Sequence, residues 1–219
     1  MTLIGALLCR NEAAPDRYLK LVLDNALSFC DHIVAYDDGS TDATPDVLRE
    51  NGVEIVAPEG SPGPQPAFWG RDEVTPRACL WDAASKAAGP DGWIYVFDAD
   101  HELVGVTSRD LRTACRSDLV NAWTMPLWDC WDSSDTMRVD GFWQAHLHPR
   151  PWLFRAQPTP GFTPDWSCID RKGVHTGHCP PNYPARVGVL PGAAIRHWSY
   201  VKPEHRARKI EQYLKLAPA

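Results

Sequence analysis

The 219-residue sequence contains no stretch near the ~18–20 uninterrupted apolar residues that a membrane span requires. Its opening segment, MTLIGALLCRNEA, is apolar but short, with no basic residue ahead of the apolar run. It therefore reads as a first buried strand rather than a signal peptide, and the compartment expected is cytoplasmic. A disulfide framework is also missing. The seven cysteines are odd in number and scattered without a CxxC pair, as expected of reduced, mostly buried thiols. Internal repeats, low-complexity tracts and an evident linker are absent too, so residues 1–219 read as a single domain with one well-buried core. An apolar content of 44% excludes a disordered or fibrous chain.

Charge is unevenly spread. From Arg138 to Ala219 there are 12 Lys+Arg against 5 Asp+Glu, a balance of +7, which leaves −13 for residues 1–137. The acidic part suits metal and nucleotide ligands. The basic part is either an ordinary solvated surface or a face for an anionic leaving group or acceptor.

Strand and helix alternate through the first hundred residues. Thr2–Leu8 is a continuous apolar run, as in a strand buried on both faces. Leu19, Val22, Leu23, Ala26 and Phe29 recur at helical spacing. His32–Tyr36 predicts a second strand, Ala43–Glu50 a helix with Gly52 at its end, and Val53–Ala57 a third strand. The Pro/Gly-rich residues 58–70 predict a loop over the site. A helix from Asp72 to Ala88 carries Ala78, Trp81, Ala84 and Ala88 on one stripe, and Trp93–Phe97 is a further strand. This pattern predicts an α/β fold with a mostly parallel central sheet flanked by helices, and ligands at the strands' carboxyl ends. Beyond a helix at Thr107–Ser117 the pattern is irregular, with β segments expected at Trp123–Trp131 and Arg150–Arg155. A last helix, Pro203–Leu216, is expected to turn Ala207, Ile210 and Leu214 inward.

Two acidic clusters fall at predicted strand ends. WIYVFDADHEL places Asp98 and Asp100 one residue apart after an apolar strand, so both should project toward the same side. Clustered carboxylate oxygens suit a hard divalent cation, Mg²⁺ or Mn²⁺, that shares its remaining positions with phosphate. One β-α unit earlier, VAYDDGSTDATP offers Asp37, Asp38 and Asp42 to ribose hydroxyls or base edges, or else forms a turn with a capped helix.

Taken in order and spacing, LLCRNEA (Leu7–Ala13), DDGSTD (Asp37–Asp42), Arg77 with its Ala-rich helix, and FDADHE (Phe97–Glu102) resemble the nucleotide-binding half of family 2 glycosyltransferases. The resemblance covers about residues 1–105. It implies a GT-A (Rossmann-like) fold, with residues 1–105 as the nucleotide-sugar half and 106–219 as the acceptor-side half. It implies a hexosyltransferase-type, metal-dependent inverting transfer from a nucleoside-diphosphate sugar, with UDP the expected nucleotide, to an acceptor hydroxyl. Arg10, Glu12, Asp37, Asp38, Arg77 and Asp98 would then bind the donor, and Asp98 and Asp100 the metal. Arg196-His197-Trp198-Ser199-Tyr200 resembles a late histidine-aromatic segment, which makes His197 a third metal ligand. Where relatives show Glu after the histidine equivalent to His175, this chain has Thr176.

An inverting transfer needs a carboxylate to take the acceptor's proton. Asp165 is the first candidate and Asp170 the second, with Asp129 and Asp132 further options. Trp128, Trp131, Trp143 and Trp166 are either sugar platforms or core. His175, His178, Cys168 and Cys179 have ligand types for a structural zinc but no standard finger spacing. The acceptor is left open among a saccharide, a small molecule, a protein and a modified nucleic acid. Three other readings compete, of which a nucleotidyltransferase would need a Gly-rich phosphate loop where this chain has Cys-Arg-Asn-Glu-Ala. A non-catalytic sugar- or nucleic-acid-binding module draws on the basic C-terminal part. A D-x-D phosphatase would carry that motif on its first strand rather than its fourth.

Overall fold

The computed structural model describes residues 1–56, 72–141, 143–169 and 177–216. The predicted loop at 58–70 lies outside them. The chain is mixed α/β, and its central sheet has seven strands in the order β3-β2-β1-β4-β8-β6-β9. These are β1 (Leu3–Cys9), β2 (His32–Asp37), β3 (Glu54–Val56), β4 (Trp93–Asp98), β6 (Ala122–Met125), β8 (Arg150–Arg155) and β9 (Val187–Val189). The β1–β2, β2–β3, β1–β4 and β6–β9 pairs are parallel, whereas β8 runs antiparallel to both β4 and β6.

The period-2 geometry of a strand divides the core in two. Leu3, Leu7, Ile33, Ala35, Trp93, Tyr95 and Phe97 face one side, with α1 (Leu19–Leu27), α2 (Thr44–Glu50) and α4 (Ser108–Ala114) contributing Leu19, Leu23, Leu48 and Leu111. Ile4, Ala6, Leu8, Val34, Ile94 and Val96 face the other, against Leu80, Trp81 and Ala84 of α3 (Val74–Ala88). Each fully buried Leu, Ile or Phe contributes roughly 1.5–3 kcal/mol. That burial on both faces is why β1 reads as an unbroken apolar run.

A second sheet holds β5 (His101–Val104), β10 (Ala194–His197) and β7 (Leu127–Asp129), with β10 central. The expected single β segment Trp123–Trp131 is in fact β6 and β7, which belong to different sheets. Pro126 separates them. It has no N–H for a ladder, and its carbonyl accepts from Ile195 N at 2.9 Å. The chain turns from β5 into α4 at Gly105 (φ +80°), where a Cβ would stand 2.0 Å from the Gly192 carbonyl oxygen.

The terminal helix α5 (Pro203–Leu216) corrects a second expectation. Ala207 is exposed, and Ile210 and Leu214 are 61% and 71% exposed, whereas His205 is buried. His205 and Lys209 turn inward instead, toward an acidic site.

Candidate functional site

The loops after β1 and β2 are stitched together by side chains. Asn11 Oδ1 accepts from Thr41 N at 2.8 Å, Ser40 Oγ accepts from Asn11 N at 2.8 Å, and Thr44 Oγ1 accepts from Glu12 N at 2.7 Å. Gly39, at φ +74°, permits the tight turn. Asp37 accepts from Ser40 and Asp42 accepts from Thr44 and Ala13, so these carboxylates brace the loops. Asp38 is buried and pairs with Arg10 Nη1 at 3.2 Å.

These loops border a cavity of about 1230 Å³ at the carboxyl ends of β1 and β4. That exceeds the ~300–1,000 Å³ of an ordinary small-molecule pocket. Arg77, 4% exposed, enters from the first turn of α3. Its Nε donates to Glu73 Oε1 at 3.1 Å and its Nη2 to Asp98 Oδ1 at 3.0 Å. Its buried Nη1 has no hydrogen-bond partner among the described residues. Burial alone would raise the Asp98 pKa, but the Arg77 guanidinium outweighs it and holds the carboxyl well below the usual carboxylate range.

Register in the small sheet builds the other wall. His197 of β10 stands opposite both His101 of β5 and Asp129 of β7, so these three share one rung. Side chains opposite one another in a sheet are near neighbours, and here the contacts follow. His197 Nδ1 lies 2.6 Å from Asp129 Oδ1, so Nδ1 carries the proton that Asp129 accepts. Trp143 Nε1 donates to the other Asp129 oxygen. In the neutral ring this turns the Nε2 lone pair into the cavity, 3.2 Å from Lys209 Nζ and 3.3 Å from Asp100 Oδ2. Ser199 Oγ donates to the same Asp100 oxygen.

Ligand atoms of Asp100, His101 and His197 all lie within 4.8 Å of one another, the group among the described residues that could hold a metal ion. The two imidazoles are not equivalent. Asp98 N donates to His101 Nδ1 at 3.2 Å, which places the His101 proton on Nε2, 3.7 Å from Asp100 Oδ1. Burial pushes His101 down to about 4, so it is neutral at pH 7. Its Nε2–H therefore faces Asp100, and of the two imidazoles it is the neutral His197 that turns a lone pair into the site. Burial and the Lys209 ammonium lower the His197 pKa, but Asp100 and Asp129 outweigh them and raise it. Asp100 plus His197, with Asp129 behind the imidazole, is a donor set that fits a divalent cation keeping open positions for phosphate or water.

The structure brings Arg10, Glu12, Arg77, Asp98, Asp100 and His197 to one cavity. Burial raises Glu12 to about 7 against the opposing Arg17, with Asp100 adding to the rise. Asp98 and Asp100 both line this cavity; the chain turns at Ala99-Asp100, so that Asp98 pairs with Arg77 and Asp100 faces His197. Asp37 and Asp38 do not line the cavity. Neither does Asp165, which sits in an exposed turn with its carboxylate accepting from Ser167 N at 2.9 Å. Asp170 and His175 lie outside the described residues. His178 is packed against Trp152 at 4.5 Å between ring centroids, and exposed Cys168 and half-buried Cys179 do not join it in a ligand group among the described residues. Of the tryptophans, Trp143 lines the cavity and Trp166 packs on the core.

Sequence reasoning missed His101, Ser199, Glu73 and Lys209. His101 was visible inside FDADHE, and Glu73 precedes Arg77 by the four residues of a helical ion pair. Asp129 stood among the candidate bases, yet its contacts make it the residue that orients His197.

No family model matches the chain. It is 30% identical over 209 residues to "Uncharacterized protein Rv3786c" of Mycobacterium tuberculosis and to "Uncharacterized protein Mb3815c" of Mycobacterium bovis. Each match covers 92% of this chain and 48% of the relative, so the chain spans about half the length of these curated relatives. Among solved structures, S. aureus TarS 1-349 in complex with UDP is 16% identical with a TM-score of 0.46, covering 71% of this chain and 47% of that one. The glucosyl-3-phosphoglycerate synthase from Mycobacterium tuberculosis, solved with Mn²⁺, UDP and glucosyl-3-phosphoglycerate, is 18% identical with a TM-score of 0.37, covering 59% of this chain and 44% of that one.

Proposed function

We propose that the chain is a metal-dependent, inverting glycosyltransferase that moves a sugar from a nucleoside-diphosphate sugar, with UDP as the nucleotide, to an acceptor hydroxyl. The observation that carries this reading is the Asp100–His197 pair. The imidazole's proton is fixed on Nδ1 by Asp129, and its Nε2 lies 3.3 Å from the Asp100 carboxylate in the cavity. Bound there, Mn²⁺ or Mg²⁺ would supply positive charge to the departing diphosphate. Arg77 supports the same step from the protein side. Its unpartnered Nη1 would donate to a diphosphate oxygen, while Glu73 and Asp98 hold the guanidinium still.

In this reading residues 1–105 serve the donor and residues 106–219 the acceptor, within one domain. Arg10, held by Asp38, and Glu12 would meet the nucleoside from the loop after β1. Trp143 and Tyr200, whose rings meet edge-on at 5.0 Å beside His197, would meet the acceptor. The proton acceptor would be a carboxylate lining the cavity, whereas Asp165 sits in an exposed turn outside it. Among the described residues no helix is long and apolar enough to cross a membrane.

The test is release of nucleoside diphosphate from a panel of nucleotide-sugars with Mn²⁺. Release by the wild type and its loss in Asp100→Ala are expected. No release from any donor, together with no metal-dependent nucleotide binding, would contradict the proposal.

A further inference from the structure

The polar face of α5 is clamped over the cavity. His205 Nε2 lies 3.1 Å and Arg208 Nη2 2.8 Å from Asp16 Oδ2, on the segment between β1 and α1. Arg206 Nη1 donates to Tyr200 O at 2.7 Å and pairs with Asp132 at 2.8 Å. One turn beyond His205, Lys209 reaches back into the cavity. Its ammonium stands 3.2 Å from His197 Nε2 and 4.6 Å from the Tyr200 ring centroid. No carboxylate of the described residues lies within ion-pair distance of it. Asp100 Oδ2 approaches the same His197 Nε2 at 3.3 Å. With the ring neutral, the nitrogen that would ligate a metal thus already accepts from a cation.

The surroundings explain why a cation belongs there. Asp98, Asp100, Asp129 and Glu12 share the cavity, and carboxylates grouped in this way are costly without positive charge. Arg77 is committed to Asp98 and Glu73, which leaves the Asp100–His197 side to Lys209. A lysine also suits a temporary role. Its ammonium is a compact charge on a flexible four-carbon stem, with no planar fork to lock it in place.

We propose that Lys209 stands in for the divalent cation at the Asp100–His197 pair in the metal-free protein, and that metal binding must displace it. The inference rests on the metal site of the function proposed above. Once displaced, the ammonium remains tethered in the same cavity, where the anionic diphosphate of a donor is the partner it lacks. Metal and nucleotide would then assist each other's binding through Lys209, reciprocally.

The test is Mn²⁺ binding measured calorimetrically with the metal alone, for wild type and Lys209→Met. Removing a unit charge a few ångströms from a divalent ion should tighten Mn²⁺ binding roughly ten- to thirtyfold in a water-accessible site. Lys209→Arg, which keeps the charge, should stay near wild type, and Lys209→Gln provides the neutral case if the Met variant folds poorly. The metal-free Lys209→Met protein should also melt at a lower temperature than wild type and gain more from added Mn²⁺. Wild type that binds Mn²⁺ with an affinity unchanged in both neutral variants would overturn the role of Lys209 and leave the metal site standing. No Mn²⁺ binding by any of the proteins would overturn both.

Discussion

Two sheets meet at one cavity, and they are built in different ways. The β3-β2-β1-β4 part of the large sheet comes from successive β-α units, with each functional residue following its own strand. The β5-β10-β7 sheet joins strands from distant parts of the sequence, and its rung His101–His197–Asp129 exists only after all three have paired. The first region fixes side chains by local turns. The second fixes them by register, and a one-residue slip would turn His197 to the other face. Residues that bind through backbone loops can come from the first kind of construction, whereas an oriented imidazole needs the second.

The largest expected effect probes where the two regions touch. Asp100→Ala should lower Mn²⁺-dependent release of nucleoside diphosphate about 10³-fold, the equivalent of several kcal/mol of lost charge stabilisation. Steady-state rates across a Mn²⁺ titration would show this, and a rate within threefold of wild type would break the assignment. In the first region, Arg77→Met leaves Glu73 and Asp98 facing each other without their cation. A loss of about 3 kcal/mol in urea-unfolding stability is expected. The pH dependence follows from the Asp98 shift. Its folded pKa lies below the unfolded value, so its contribution is present above about pH 4 and is lost as pH falls through the folded value. In Arg77→Met that loss should begin at higher pH.

In the second region, Asp129→Asn should weaken Mn²⁺ binding roughly 10–100-fold with little change in the fold, because it removes the group that orients His197. The pH trend there has the opposite origin. His197 must be neutral to ligate, and its pKa is raised above 6.5, so Mn²⁺ affinity should fall as pH drops below that raised value. The smallest effect belongs to Asp165→Asn. This exposed turn residue should change stability by no more than ~0.5 kcal/mol and leave the transfer rate within twofold. A collapse in rate would restore Asp165 as a candidate base.

The same contrast explains what could be read from the sequence. β1, β2 and β4 were legible because burial on both faces leaves unbroken apolar runs that end at Arg10, Asp37 and Asp98. The α3 helix was legible through the stripe of Trp81, Ala84 and Ala88. Pairings over long separations leave no such trace. Asp129 lies 68 residues from His197, and neither β7 nor β10 is longer than four residues. The periodicity of α5 misled for a physical reason. Ile210 and Leu214 face outward because the surface the helix covers is acidic and takes His205 and Lys209 instead. The Asp98-Ala99-Asp100 spacing predicts two carboxylates at one site, and both line the cavity, where the turn between β4 and β5 sets Asp98 against Arg77 and Asp100 beside His197.

The central claim is that the His197 imidazole, carried by the irregular half, is the nitrogen ligand of a divalent cation held with Asp100. Pulsed electron paramagnetic resonance of the Mn²⁺-loaded protein tests it directly. A nitrogen coupling from a bound imidazole is expected in wild type and in His101→Ala, and should vanish in His197→Ala. A coupling that survives His197→Ala, or disappears only in His101→Ala, would contradict the account.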